Sequence, residues 1–368
     1  MGKNAEYIQR VLGYVEENVP VTRSILAERK ALCEAFLKGV KGKTFDRILL
    51  FGIGSSYNAG LMVKPLLESA LQTEVLVASP AMYEQMCRSR RFDRALLIAA
   101  SQSGKSAAPI DVVKQLKAKG AFVVGLTGNL DSPLAQESSA AVDIHCGAEN
   151  ASVMTKGVLA TAMMMAMIGL EYGVDNGLLA PKDYEAIMAD FDKIAGHMPE
   201  NLALAHKWCD ANVEDWSRFR SFSLISNIDS TGTTLEIALK VMESIFLPAD
   251  SFEVEEYLHG PHLLLSRKEA ALLQLDSAGM DHAKLARIHQ FLQEKQAPSY
   301  QITQVGDPGC AKDCLTIHSV KNGLLDFAEF LPVLQVCSIR LWQYFDQHGL
   351  DAFAMPGDLS GALATKVK

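Results

Sequence analysis

The apolar positions of this chain fall into two textures. Up to about residue 42 they recur at helical spacing, first Ile8, Val11, Leu12 and Val15, then Ile25, Leu26, Leu32 and Phe36, which predicts a helical segment. Beyond it, short apolar runs alternate with helical stretches. The runs 48–52, 74–77, 95–99, 122–126 and 141–144 suit strands buried on both faces, and Gly, Ser or Pro follows each closely. Strands that alternate with helices imply a parallel sheet in an α/β domain.

The same texture returns in the second half. An apolar stretch at 157–170, flanked by Lys156 and Glu171, precedes a mixed, charged helical stretch at 181–217. Then come a strand at 222–226, a helix at 233–246, a strand at 271–275, a helix at 282–294, strands at 299–305 and 314–318, and a long helix at 326–347. The halves read as two copies of one plan, although their residue identity is too weak to define a repeat. The expected organisation is a helical N-terminal segment (1–42), a first α/β domain (43–180), a helical connection (181–217), a second α/β domain (218–350) and an irregular tail (351–368). Each domain is expected to be a doubly wound parallel sheet.

Composition narrows the classes. Of the 368 residues 49% are hydrophobic and 21% charged, which excludes collagen-like, low-complexity and largely disordered chains. With 43 acidic against 35 basic residues the net charge is −8, so nothing strongly basic is available to coat a phosphate backbone, and nucleic acid is not expected as a partner. The cysteines (Cys33, Cys87, Cys146, Cys209, Cys310, Cys314 and Cys337) are scattered. Only Cys310 and Cys314 lie close, and no second pair completes a zinc site, so free thiols and no metal are expected. The opening MGKNAEYIQR has no apolar core of a secretory signal, and Glu6 stands where myristoylation wants Ser or Thr. The 157–170 stretch is too short to span a bilayer core of about 30 Å and reads as a buried helix. A cytoplasmic protein without a membrane partner is the expectation.

Two loops directly after strands stand out. One is Gly52-Ile53-Gly54-Ser55-Ser56-Tyr57-Asn58 and the other Ser101-Gln102-Ser103-Gly104-Lys105-Ser106. Both fall where the C-terminal ends of parallel strands feed helices, the edge on which ligands bind in open α/β sheets. Backbone N–H groups at a helix start attract anions, and serine hydroxyls add donors without charge, so the pair makes a phosphate cradle. The plainer alternative is that Ser and Gly cap the helices. Residues 99–106, AASQSGKS, also approach the nucleotide P-loop, with the strand ending at Asp276 as a source of a magnesium ligand. The strict pattern needs Gly at Ala99, and the first loop has no task in that scheme.

In the second half Glu236, Lys240 and Glu243 lie at i, i+4 and i+7 on one helix face. They are either a surface salt-bridge ladder or, because Leu235, Ile237, Ala238, Leu239, Val241 and Met242 surround them, buried charges that need partners or a function. Further on, Glu255-Glu256-Tyr257-Leu258-His259-Gly260-Pro261-His262 puts a histidine on a tight turn. A carboxylate and an imidazole together could move protons near neutral pH.

The series GSSYN, SQSGxS, Thr155-Lys156, LExALKxxE and HGP, with sixteen residues from Glu243 to His259, resembles the SIS (sugar isomerase) family. More narrowly it resembles the two-SIS-domain isomerase module of glucosamine-6-phosphate synthase and free-standing deglycases, deaminases and isomerases, over about residues 20–360. The resemblance implies two SIS domains of flavodoxin-like fold and a sugar-phosphate substrate. It implies that Ser56, Ser101, Gln102, Ser103 and Ser106 hold the phosphate, with Ser55, Glu149 and Thr155 as further substrate contacts. Glu243 matches the base that moves a proton between C1 and C2, Lys240 a lysine beside it, and His259 a ring-opening histidine supplied by the neighbouring subunit of a homodimer. No cofactor or metal is implied. The sequence departs from the synthase in lacking its glutamine amidotransferase domain and in carrying Lys105 in place of a carboxylate. In the tail pattern Pro356, Leu359 and Leu363 are kept, but Gly361 replaces a lysine, with Lys366 and Lys368 out of register. The expected function is C1–C2 enolisation of a 6-phosphorylated sugar or ketosamine, as a fructosamine-6-phosphate deglycase, amino-sugar-phosphate deaminase or aldose–ketose isomerase. A non-catalytic sugar-phosphate sensor is the alternative and a P-loop NTPase the remote one.

Overall fold

The computed structural model describes residues 4–87, 94–266, 269–279, 281–350 and 365–366. Most of the tail, including Pro356, Leu359, Gly361, Leu363 and Lys368, lies outside the described residues, as does the side chain of Cys87. The elements in chain order are α1 (Ala5–Glu16), α2 (Asn18–Val40), β1 (Arg47–Phe51), α3 (Ser55–Leu71), β2 (Glu74–Ala78), α4 (Pro80–Cys87), β3 (Ala95–Ala100), α5 (Ala107–Ala118), β4 (Val123–Thr127), α6 (Pro133–Glu137), β5 (Ala140–Asp143) and α7 (Lys156–Asp175). They continue as α8 (Pro181–Trp216), β6 (Ser221–Ser226), α9 (Thr231–Ile245), β7 (Ala249–Glu253), α10 (Val254–Leu258), β8 (Ala270–Asp276), α11 (His282–Glu294), β9 (Ser299–Thr303), β10 (Gly309–Cys310), β11 (Cys314–Thr316) and α12 (Asp326–His348).

The chain divides into two compact units, each drawn from separated stretches. One comprises residues 20–150, 156–189 and 354–368 and holds a five-stranded sheet in the order β2-β1-β3-β4-β5. All its strand pairs are parallel. The β3 strand, ALLIAA, is buried at every position, as expected for a central strand covered on both faces. One side of its core packs Leu49, Phe51, Tyr83, Leu97, Ile110 and Leu116. Phe51 pairs with Ala78 on one side and Ala99 on the other, so β1 and β3 end side by side. The order reverses between them, at the crevice where doubly wound sheets bind ligands.

The α7 helix is longer than the predicted 157–170 and, at twenty residues, is long and apolar enough to cross a membrane by length and composition. It is nevertheless buried along almost its whole length and packs on α3. An all-round apolar helix inside a globular core needs no lipid to explain it.

The other unit comprises residues 1–19, 151–155 and 190–353. Its six-stranded sheet runs β10-β11-β9-β8-β6-β7, parallel except for the β10–β11 hairpin. Read from β7, the order β7-β6-β8-β9-β11 repeats that of the first sheet, so the likeness of the halves extends to topology. The β7 strand and the short α10 were not expected from the sequence. With the sequence ADSFE, β7 is an edge strand with only Ala249 fully buried and carries no apolar run. The predicted helical segment before residue 42 is two helices, α1 grouped with the second sheet and α2 chiefly with the first. Helix α1 buries Ile8, Val11, Leu12 and Val15 and packs on α12.

Candidate functional site

The first-sheet unit carries the serine loops. After β1 the chain turns through Gly54, at φ 55°, and enters α3 at Ser55, so the half-buried Ser55 and Ser56 stand in the first turn of a helix. After β3, Ser101 is buried and its hydroxyl donates to Ser106 Oγ at 3.0 Å. Ser106 occupies the N-cap of α5 in an extended conformation but makes no side-chain capping bond. The capping alternative therefore fails at Ser106. It holds at α6, where Ser132 Oγ accepts from Ala135 N at 3.4 Å. Ser103 is exposed, its hydroxyl accepting from Lys105 N at 3.3 Å. Lys105 is exposed as well.

The loop is shaped by Gly104. Its φ is 64°, and a Cβ there would stand 2.0 Å from Ser132 Oγ and 2.7 Å from Thr127 Oγ1. Only glycine adopts that conformation freely at such a contact. The Gln102 carbonyl accepts from Gly128 N at 2.9 Å, which ties the loop to the end of β4. Thr127, Gly128 and Ser132 thus support the cradle. Sequence reading missed them because they lie in the next strand and loop. The tail also reaches this loop: Ala107 N donates to Thr365 O at 3.1 Å, and Lys366 forms an antiparallel bridge with Ser106.

Gln102 and Glu149 act together. Glu149 Oε2 accepts from Gln102 Nε2 at 2.9 Å and from Gly157 N at 3.0 Å. A carboxylate can only accept, so the Gln102 NH2 faces Glu149 and its carbonyl oxygen faces elsewhere. The geometry gives Glu149 a positioning task, holding Gln102 and capping the start of α7. Cys146, beside this network, is an unreactive thiol: burial, with the Glu149 charge adding to it, pushes it up to about 11.

The second-sheet unit carries the acid/base candidates. On α9, Lys240 Nζ lies 3.1 Å from Glu236 Oε1 and 2.8 Å from Glu243 Oε2. The side chains of Lys240 and Glu236 are 1% and 0% exposed, whereas Glu243 is 35% exposed. A surface ladder is thereby excluded for the first two. Burial alone would lower the Lys240 pKa, but the charges of Glu236 and Glu243 outweigh it and hold the ammonium above the ordinary lysine range. Glu243 is the member of the trio with access to solvent.

His259 caps the C-terminus of α10, its N–H donating to Glu256 O at 3.2 Å, and its ring is exposed ahead of Gly260 at φ 150°. Glu253 fixes the other end of that helix, accepting from Glu255 N and Glu256 N. Thr155 is buried, and its carbonyl accepts from Gln335 Nε2 at 2.9 Å. Asp276, offered as a magnesium ligand in the nucleotide reading, belongs to the sheet that does not carry the AASQSGKS loop. Its carboxylate is taken by His282 Nδ1 at 2.7 Å, Gln301 Nε2 at 2.8 Å and Thr303 Oγ1 at 2.9 Å. The P-loop reading loses its metal ligand.

The chain is similar to known proteins in sequence and in fold. Residues 44–170, which include both serine loops, match the model of the SIS domain. The chain is 26% identical over 283 residues to the isomerizing glutamine–fructose-6-phosphate aminotransferase of Bacteroides thetaiotaomicron, covering 76% of this chain and 44% of that protein. Among solved structures, a protein of Clostridium difficile 630 provisionally described as a phosphosugar isomerase has a TM-score of 0.82 at 22% identity, covering 97% of this chain and 98% of that one. Glucosamine-6-phosphate deaminase of Thermotoga maritima has a TM-score of 0.63 at 20% identity, covering 91% and 95%. The chain has an α/β fold, and its residues 44–170 match a SIS domain. More narrowly, it is homologous to the isomerase part of the isomerizing aminotransferases and spans about half the length of those relatives.

Proposed function

We propose that this protein is an enzyme that binds a 6-phosphorylated sugar, amino sugar or ketosamine and moves a proton between C1 and C2. The observation that carries this reading is the crevice between β1 and β3. There, two adjacent strand ends each deliver a serine-bearing helix start, and the Ser101–Ser106 pair leaves the α5 N-cap without a side-chain cap. Such a place suits a phosphate. Ser55, Ser56, Ser101, Ser103 and Ser106 would donate to it, and Gln102, held by Glu149, would present its carbonyl to a hydroxyl or amine of the sugar.

Glu243 is assigned as the base. It is the accessible carboxylate of the α9 trio, 2.8 Å from the Lys240 ammonium. His259 opens the sugar ring, contributed by a second copy of the chain in a homodimer. With a ketosamine, transfer of a proton from C1 to C2 leaves an imine at C1. Water then cleaves it to the aldose phosphate and the free amine. With a 2-amino sugar, the reverse transfer leaves an imine at C2, and hydrolysis yields the ketose phosphate and ammonia. With neither amine, the same transfer is aldose–ketose isomerisation. The aminotransferase homology supports the nitrogen-releasing branch.

The test is a thermal-shift panel of hexose, hexosamine and ketosamine 6-phosphates, each beside its unphosphorylated form, with hits assayed for isomer, ammonia and amine. Stabilisation by phosphorylated compounds with turnover is expected. Binding without turnover would make the protein a sensor, and equal response to free sugars would sink the phosphate reading.

A further inference from the structure

The matching sheet orders allow the two crevices to be compared element by element. In the first-sheet unit the crevice lies between β1 and β3, with Ser101 directly after β3 and α7 packed against α3. In the second-sheet unit the corresponding crevice lies between β6 and β8. Ser277 directly follows β8, Ser230 is the N-cap of α9, and α12 packs against α9 as α7 does against α3. Ser230 makes no side-chain capping bond. Its hydroxyl instead donates to Asp326 Oδ2 at 2.9 Å. Ser277 also hydrogen-bonds this carboxyl group, and Gln304 Nε2 donates to Oδ1 at 2.7 Å.

Asp326 is the first residue of α12, and its counterpart at the start of α7 is Lys156. Both are buried. The equivalent helix start thus carries a lysine in the first-sheet unit and an acid in the second.

We propose that the second crevice is a ligand site filled by the chain itself: the Asp326 carboxyl group occupies the place of a ligand's acidic group, held by Ser230, Ser277 and Gln304. The protein therefore offers one sugar-phosphate crevice per chain, in the first-sheet unit. The donors that would greet an outside anion are already engaged in the second. This inference stands apart from the identity of the substrate.

The experiment empties the crevice and refills it. Asp326→Gly is made in the full chain, in a Ser101→Ala, Ser103→Ala background that disables the first crevice, and thermal unfolding is followed with sodium formate or with chloride at equal ionic strength. Formate should raise the Tm of the Asp326→Gly protein by at least about 3 °C more than that of its Asp326 parent, and Ser230→Ala should abolish the difference. Equal formate response with and without Asp326 overturns the proposal. Should the glycine variant not fold, calorimetry decides on the unaltered protein with inorganic phosphate as probe. One site per chain, lost in Ser101→Ala, Ser103→Ala, is expected, and a second site that survives those changes overturns it.

Discussion

Gly157 lies directly against the Gln102 side chain: a Cβ built on this glycine would stand 2.1 Å from Nε2 and 2.3 Å from Cδ. The contact makes the first turn of α7 a gauge for the position of Gln102 in the proposed phosphate loop. Gly157→Ala should force Gln102 off Glu149 while leaving the sheet intact. KM for the sugar phosphate should rise roughly tenfold or more, equivalent to about 1.4 kcal/mol of binding, with a smaller change in kcat. An unchanged KM would remove Gln102 from substrate binding.

The α9 trio separates base from scaffold. In Glu243→Gln, Lys240 keeps its buried partner Glu236 at 3.1 Å, so the fold should hold. Turnover should fall by roughly 10²-fold or more, in line with loss of a general base. Glu236→Gln should do the opposite, losing several degrees of Tm because it strips the buried ammonium of its fully buried counter-charge. Measuring kcat and Tm on both variants decides it. Normal turnover in Glu243→Gln would take that residue out of the mechanism.

If the crevice serines hold a phosphate, their removal should abolish phosphate dependence. Ser101→Ala combined with Ser103→Ala removes two hydroxyls, one buried and bonded to Ser106, the other exposed. Affinity for sugar 6-phosphates should drop by about 1–3 kcal/mol per charge-assisted bond lost, while the weak binding of free sugars stays as it was. Isothermal titration with glucose and glucose 6-phosphate reads the difference.

Stability should depend on pH through Asp326 and Glu329. Burial raises both to about 7, against the pull of their donors: Ser277, Gln304 and Ser230 on Asp326, Ser319, the Val320 N–H and Gln304 on Glu329. Asp229 repels the first and Asp326 the second. A carboxyl whose folded pKa is raised binds its proton more tightly when folded. Its stabilising contribution is complete below the unfolded value of about 4 and is lost as pH rises through about 7. Tm should therefore decline from about pH 5 to about pH 8, and Asp326→Asn should flatten that decline. An unaltered slope in the variant would show that Asp326 does not titrate there.

Shared sites can be tested by mixing. If His259 serves the site of a second copy, Glu243→Gln and His259→Ala proteins, each inactive alone, should regain part of the activity after subunit exchange. No recovery after verified exchange would place both groups in one chain's site, or remove one from catalysis.

Much of this architecture is legible in the chain because a strand covered on both faces must be apolar throughout, as Ala95–Ala100 is. The β7 strand was hidden because an edge strand in contact with water needs no such run, and α10 because five residues hold too few turns to show a period. The serine loops were visible through position, lying just past strand ends. Their supports were not. The resemblance singled out Glu149 as a substrate contact, but its bonds to Gln102 and Gly157 show only in the fold. Asp326 looks like an ordinary acid in a helix's first turn, a place where acids are common. Only the sheet order shows that this turn closes a crevice.

The placement of α1 bears on how the chain is made. Its apolar stripe, Ile8, Val11, Leu12 and Val15, is covered by α12, whose residues begin at Asp326. A ribosome emits one long before the other, an interval on the order of tens of seconds at ordinary elongation rates. Through that interval the first-sheet unit can complete most of its core while α1 waits with its greasy face uncovered. A nascent chain of this kind offers a chaperone a defined early handle, and moving α1 to follow α12 would take that handle away.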